Sequence, residues 1–299
     1  MYYLDPKNDI SFKKVFGRHP EVLKSFLNAL LPLQPDSPIT EIEYLNPELL
    51  PDIPELKFTM VDMRCRDKTG RQFLVEMQML WADSFESRIL LNACKAFSHQ
   101  IGRGDTYDLL APVYSLNIIN QSFSGQSAVW YHQYALNHQS LPGKRMNGLE
   151  FVLIELPNFM PANYKERRIT TLWLRFLKEI KNRSTMIPQE LLEVPEIAEA
   201  VEALKDSSYS REELEQYEKY WDILRTQQTF VNDALRKGRL EGQQIGQQIG
   251  EQLGQHIGEH KKAKYSAEKL IIRGFSNADI ADITGLGIDE IEALRKEMN

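Results

Sequence analysis

Asp62, Glu76 and Gln78 are the residues of this chain whose types and spacing suit chemistry. They lie on two runs, residues 57–66 and 71–80, separated by Asp67-Lys68-Thr69-Gly70, and the whole reads as a β-hairpin. With Lys68, Thr69 and Gly70 as a three-residue loop and Gly70 in the left-handed region, Asp67 faces Arg71. Counting back along both strands sets Asp62 opposite Glu76. The two carboxylates then share a face with Cα atoms about 5 Å apart, and Gln78 follows on that face two residues along. Anionic groups held opposite each other repel, and a divalent cation offsets the repulsion. Hard ions such as Mg²⁺ take carboxylate oxygens and keep several waters, one of which becomes a better nucleophile while a phosphate oxygen is polarised. Phosphodiester hydrolysis is the chemistry such a site suits. The competing reading is a hairpin with one wet face that displays Asp62, Arg64, Glu76 and Gln78 as solvent positions. Val75, Met77 and Met79 alternate with Glu76 and Gln78, which favours a well-formed central strand.

The flanking sequence must position that hairpin. From Asp9 to Leu31, Ile10, Phe12, Phe16, Val22, Leu23, Phe26, Leu27, Leu30 and Leu31 recur at three- and four-residue steps, predicting helices with one buried face, broken at His19-Pro20. Pro-rich stretches lead into the hairpin. Residues 84–101 return to helical spacing through Phe85, Ile89, Leu90, Ala93, Phe97 and Ile101. Residues 113–120, 129–135 and 149–155 read as further strands. A helix between strands serves as a crossover, so the order predicts an α/β core with a mixed sheet over residues 1–160.

After Pro161 the sequence turns helix-favouring, and residues 161–240 form an expected helical region. Residues 241–262 contain a four-residue Gly/Gln repeat with an aliphatic residue in fixed phase. A four-residue period drifts by about 40° per repeat on a helix. Each interior glycine also costs roughly 1 kcal/mol against alanine. The repeat is therefore expected to be either a flexible linker or a helix packed closely on another chain, which makes a homo-oligomer through the C-terminal region one expectation. His256 and His260 sit four apart but lack a partnering carboxylate motif, and a solvated tail is the favoured reading. Residues 263–299 read as three short helices, with Gly274 and Gly285 ending two of them and Ser276 capping the second. The spacing resembles a helix-turn-helix. Its last helix is rich in Asp and Glu, which would meet phosphate repulsion, so a packing or oligomerisation unit is favoured over DNA reading.

The chain's 299 residues suffice for one catalytic domain plus a helical appendage. A net charge of -6 leaves the substrate open, since a local basic channel can sit in an acidic protein. Two cysteines, Cys65 and Cys94, without metal-ligand spacing, fit a reducing compartment. The start MYYLDPKND has no basic-then-apolar pattern and no run of about 20 apolar residues occurs, so a soluble cytoplasmic protein without a membrane partner is expected. No G-x-S-x-G occurs to support a serine hydrolase.

Taken together, several segments resemble the recombination-promoting nuclease (Rpn) or transposase group of the PD-(D/E)XK superfamily. They are Asp9-Ile-Ser-Phe12-Lys13-Lys-Val-Phe16-Gly17, Lys57 with Val61-Asp62-Met63, Gly70, Val75-Glu76-Met77-Gln78, Arg88, Gly104-Asp105-Thr-Tyr107 and Ile154-Glu155-Leu156-Pro157. The resemblance covers the first half well and the Gly repeat and terminal segment more loosely. It implies an α/β restriction-endonuclease-like core with a mixed sheet flanked by helices, followed by a helical C-terminal half. It also implies Mg²⁺-dependent DNA cleavage, with Mn²⁺ able to substitute, linked to recombination or mobile elements. By position, Asp62 matches the motif aspartate, Glu76 the glutamate and Gln78 the place of the superfamily's lysine. The Met77 carbonyl then completes the protein ligands of the metal. A neutral glutamine orients by hydrogen bonds but supplies no charge, so a weak or inactive nuclease fold serving as a DNA-binding or oligomeric module is the alternative. Asp9 is a candidate further carboxylate or the N-cap of the first helix, and Lys13 and Arg88 are candidate phosphate contacts.

Overall fold

The computed structural model describes residues 1–49, 59–125, 128–161 and 168–298. Lys57, at the start of the first expected strand, lies outside them. By its internal contacts the chain divides into two units, Met1–Asp222 and Ile223–Asn299.

The first unit opens with α1 (Asp9–Arg18) and α2 (Pro20–Leu30). Pro20 ends one helix and starts the next because it supplies no N–H to the preceding turn yet fits the first helical position. The strands follow: β1 (Ile42–Leu45), β2 (Glu48–Leu49), β3 (Thr59–Met60), β4 (Met63–Asp67), β5 (Gln72–Gln78), β6 (Val113–Ile119), β7 (Tyr131–Asn137) and β8 (Arg145–Glu155). Among the described residues six of them form one mixed sheet in the order β1-β4-β5-β6-β8-β7, with β2 and β3 in a separate ladder. The β5, β6 and β8 strands run parallel, and α3 (Phe85–Ser98) makes the crossover between the first two. The hairpin strand is central, as its alternation predicts. The short β1 and β2 were hidden in the Pro-rich stretch, where four and two residues are too few to show a period.

Side chains alternate across β5. Phe73, Val75 and Met77 meet a core built from Phe12, Phe16 and Phe26 of α1 and α2 and from Trp173 and Phe176 of α4 (Ile169–Glu179). Leu74 meets Ala93 and Ala96 of α3 on the opposite face, and Phe85 and Ile89 cover Ile119 and Leu153. The short α5 (Gln189–Leu192) and α6 (Pro195–Ala203) complete the first face through Leu191, Ile197, Ala200 and Val201. Trp173 is fully buried, with ring centroids 5.7 Å from Phe16, 5.4 Å from Phe26 and 5.6 Å from Phe176. Trp173→Ala is expected to cost about 3–5 kcal/mol, read as a lower urea midpoint by near-UV circular dichroism. A loss below about 1 kcal/mol would mean that this aromatic cluster is not the centre of the core.

The α7 helix (Arg211–Ile272) runs unbroken through the Gly/Gln repeat. Gln, Glu, Leu and Ile between the glycines favour the helical state enough to carry them. Among the described residues outside the helix's own backbone, none lies within 4 Å of a Cβ built on Gly242, Gly246, Gly250, Gly254 or Gly258, and Ile245, Ile249, Leu253 and Ile257 are exposed. The first of the three short helices expected near the C-terminus is the end of α7 itself. The helix ends at Ile272, and Gly274, at φ 83°, turns the chain. Then come α8 (Asn277–Thr284), capped by Ser276 Oγ on the Asp279 N–H and closed by Gly285 at φ 71°, and α9 (Ile288–Met298). Ala267, Ile280, Leu286, Ile291 and Leu294 form the core of this second unit. Among the described residues no helix is long and apolar enough to cross a membrane.

Candidate active site

The hairpin register follows the count made from the turn. Gly70 sits at φ 88°, its N–H donates to the Asp67 carbonyl, and the Asp67 N–H donates to the Arg71 carbonyl at 3.0 Å. Asp67 Oδ1 also accepts from the Thr69 and Arg71 N–H groups, locking the loop. Met63 pairs with Val75, Arg64 with Leu74, Cys65 with Phe73 and Arg66 with Gln72.

One step beyond Met63 the arrangement departs from the simple hairpin. The Val61 N–H donates to the Pro47 carbonyl at 3.2 Å, and β3 pairs with β2, so the chain changes partner at Asp62. Asp62 is therefore not a ladder residue opposite Glu76. Its side chain takes the place of the missing strand: Asp62 Oδ2 accepts from the Met77 N–H at 2.7 Å. A residue's N–H and C=O point to the same edge of an extended strand. The Met77 carbonyl thus faces the edge where Asp62 lies, while the Gln78 carbonyl faces β6 and accepts from the Asn120 N–H at 2.8 Å.

Glu76 and Gln78 project to the α3 face. Glu76 is buried, and its two oxygens accept from Arg88 Nη2 at 3.1 Å and from Asn92 Nδ2 at 2.9 Å. The same Arg88 nitrogen donates to Gln78 Oε1 at 2.6 Å, and Gln78 Nε2 donates to the Leu80 carbonyl. Arg88, expected at phosphate, is here an internal partner of the carboxylate and the amide, because α3 crosses directly over the end of β5. Asp9 is the first residue of α1 rather than its cap. The cap is Asn8, whose Oδ1 accepts from the Ile10 N–H at 3.0 Å. This leaves Asp9 free to pair one turn on with Lys13 at 2.8 Å, so the lysine expected at phosphate is engaged as well.

Burial pushes the Asp62 carboxyl up to about 7 against the pull of the Met77 N–H, with Glu76 and Asp9 adding to the rise and Lys13 opposing it. Burial also raises the Glu76 carboxyl, although Arg88 and Asn92 hold it down. The folded, metal-free chain therefore binds a proton at Asp62 that the unfolded chain has lost above about pH 4. Stability from this group is full below the unfolded value and is lost as pH rises through about 7, up to a limit of about 4 kcal/mol. In EDTA, the thermal midpoint is expected to fall between pH 5 and 8, and Asp62→Asn to flatten that slope. An identical slope in the variant would show that Asp62 titrates normally.

These features bear on whether the residues suit a divalent ion. Among the described residues no cluster of three or more His, Cys, Asp and Glu side chains is placed to hold a metal. The site instead offers two carboxylates and a backbone carbonyl, all hard oxygens, and ions of the Mg²⁺ type bind through one or two carboxylates with waters completing the shell. Asp62 Oδ1 receives no hydrogen bond from the described residues, and a cation offsets the burial that raises both carboxyls and the neighbouring charges that add to the rise at Asp62. Asn92 Oδ1 and Asn117 Oδ1, buried beside Glu76, also lack donors among the described residues. The donor set fits.

The sequence reading missed Asn92 and Asn117. Asn92 lies four residues after Arg88, one turn along the same helical face, and Asn117 is the β6 partner of Glu76. The polar Ser115 and Asn117 inside the apolar strand Val113–Ile119 were the available signal.

Residues 6–234 match the family described as PD-(D/E)XK nuclease family transposase. The chain belongs to that family. The match covers the sheet, both carboxylates, α3 and the helices of the first face, so the family expected from the hairpin and its flanking motifs is the one found. No curated protein and no solved structure matches the chain.

Proposed function

We propose that this protein is a divalent-metal-dependent DNA endonuclease acting in recombination or element mobility. The observation that carries the reading is the 2.7 Å hydrogen bond from the Met77 N–H to Asp62, which brings a carboxylate from outside the hairpin ladder to the edge of β5 beside Glu76. Asp62, Glu76 and the Met77 carbonyl are the ligands we assign to Mg²⁺, with Mn²⁺ as its substitute. When bound, the ion supplies a polarised phosphate oxygen and a water of lowered pKa. Gln78 then positions the attacking water by hydrogen bonding. Arg88 supplies the positive charge that glutamine lacks, since its guanidinium already touches both Glu76 and Gln78. With Glu76 holding the ion, Arg88 would be free to contact the scissile phosphate. DNA is the partner, and the test is incubation of the full chain with supercoiled plasmid. Nicked and linear products are expected with Mg²⁺ or Mn²⁺ and none with EDTA. Equal cleavage with and without chelator would defeat the reading.

A homo-oligomer through the C-terminal region is supported by the exposed aliphatic side chains of the repeat, including Ile245, Ile249, Leu253 and Ile257. Ile249→Glu is expected to lower the solution mass to that of a single chain, measured by light scattering. An unchanged mass would remove this part of the proposal.

A further inference from the structure

On the sheet face that carries α1 and α4, at the ends of β5 and β6, lies a cavity of about 350 Å³. Its polar wall is made by Asp5, Lys7, Asn120, Lys178, Lys181 and Trp221. Met79, which follows Gln78, forms part of its apolar wall, so the cavity begins one residue beyond the motif on β5. The Asn120 N–H is held by the Gln78 carbonyl. The residue before Trp221 is Tyr220, whose phenol is pushed up by burial and then by the charges of Asp9 and Asp62.

Among the described residues three ammonium groups face one carboxylate there, and that carboxylate is already engaged. Buried Lys7 donates to Asp5 Oδ1 at 2.8 Å and to the Leu177 carbonyl at 2.9 Å, which leaves one of its three donors. Lys178 donates to the Pro157 carbonyl at 3.1 Å and to the Phe159 carbonyl, with Met160 Sδ at 4.0 Å. Lys181 Nζ has no hydrogen bond or ion pair among the described residues. The Lys178 ammonium is pushed down by burial and by the like charge of Lys181, and the neighbouring Glu179, which acts the other way, is bound to Arg175 at 2.7 Å. Lys178 and the exposed Lys181 are like charges near each other, and with the one described carboxylate paired to Lys7, an anion stabilises them. The volume lies in the range of small-ligand sites rather than that of a bare oxyanion, and Trp221 and Met79 offer apolar surface to a sugar.

We infer that this cavity binds a phosphorylated sugar of a nucleic-acid strand, with Lys181 and Lys178 on the phosphate. Its link to a nucleic-acid strand rests on the nuclease reading; the anion site itself does not. The full chain in EDTA would be titrated by calorimetry with orthophosphate, thymidine 5′-monophosphate and a single-stranded thymidine hexanucleotide. Lys181→Glu is expected to weaken all three by about tenfold or more and Lys178→Gln by several-fold. Hexanucleotide binding at least about tenfold tighter than the mononucleotide identifies a strand as the source of the phosphate, and equal affinities identify a free nucleotide. Affinities unchanged within about twofold in both lysine variants, or no binding to the wild type, would overturn the inference. Because neither metal nor cleavage enters the measurement, Lys181-dependent binding by an inert wild type defeats the nuclease reading alone. Active cleavage with Lys181-independent binding defeats the subsite alone.

Discussion

Asp62→Asn is expected to reduce metal-dependent plasmid cleavage on the order of a thousandfold or more while leaving the protein folded. The substitution is nearly isosteric, and the amide oxygen still accepts from the Met77 N–H, so the partner switch between β3 and β4 is retained. What is lost is the negative charge and the open Oδ1 that would face the ion. The variant carries its own control. Removing a carboxylate that burial has pushed up to about 7 relieves a cost in the metal-free protein above that pH, so its thermal midpoint in EDTA at pH 8 should exceed the wild type's. Lost cleavage together with a raised midpoint identifies a ligand position. Lost cleavage with a lowered midpoint would instead make Asp62 a structural cap of β5, and the assignment of the metal would fail.

Glu76→Ala is expected to lose cleavage to a similar extent, on the order of a thousandfold, and to destabilise the protein as well. Glu76 accepts from both Arg88 and Asn92 in a buried setting, and its removal leaves the Asn92 amide unpaired and Arg88 with Gln78 alone. Groups left so cost about 1–3 kcal/mol, and Arg88, being half exposed, recovers part of that in solvent. The two carboxylates should thus give opposite stability effects with the same loss of activity. This contrast also tests the alternative, a nuclease fold kept for binding, which gains support from Arg88 lying across Glu76 and Gln78 where a cation would otherwise act. DNA binding indifferent to both Mg²⁺ and Glu76→Ala, with no cleavage by the wild type, would favour that alternative. Plasmid cleavage abolished in Glu76→Ala would remove it.

The hairpin was legible because its determinants are local. Gly70 supplies the positive φ, Asp67 closes the loop with its own side chain, and alternation along Gln72–Gln78 sets which residues meet the core. The helices of the first face were legible for the same reason, as Phe12, Phe16, Val22, Leu23, Phe26 and Leu27 repeat at helical spacing and Pro20 marks the break. The Gly repeat was ambiguous because propensity gives a glycine-rich helix only marginal support, and its continuation through residues 242–258 depends on the favourable residues between the glycines.

By itself, then, the sequence determined the turn, the register, the central strand and the family to which Asp62, Glu76 and Gln78 point, since each depends on residues a few positions apart. Only the tertiary structure decided that Asp62 leaves the ladder. That outcome depends on the Val61 N–H finding Pro47 and on β3 finding β2, pairings that alternation within one hairpin does not encode. The same holds for Arg88 and Asn92 over Glu76, where a helix crossing converges on a strand, and for the lysine-lined cavity, whose walls come from residues as far apart as Asp5 and Trp221. Local stereochemistry fixes where a carboxylate sits along a strand, while its charge state and its partners are set by whatever distant segments the fold packs around it.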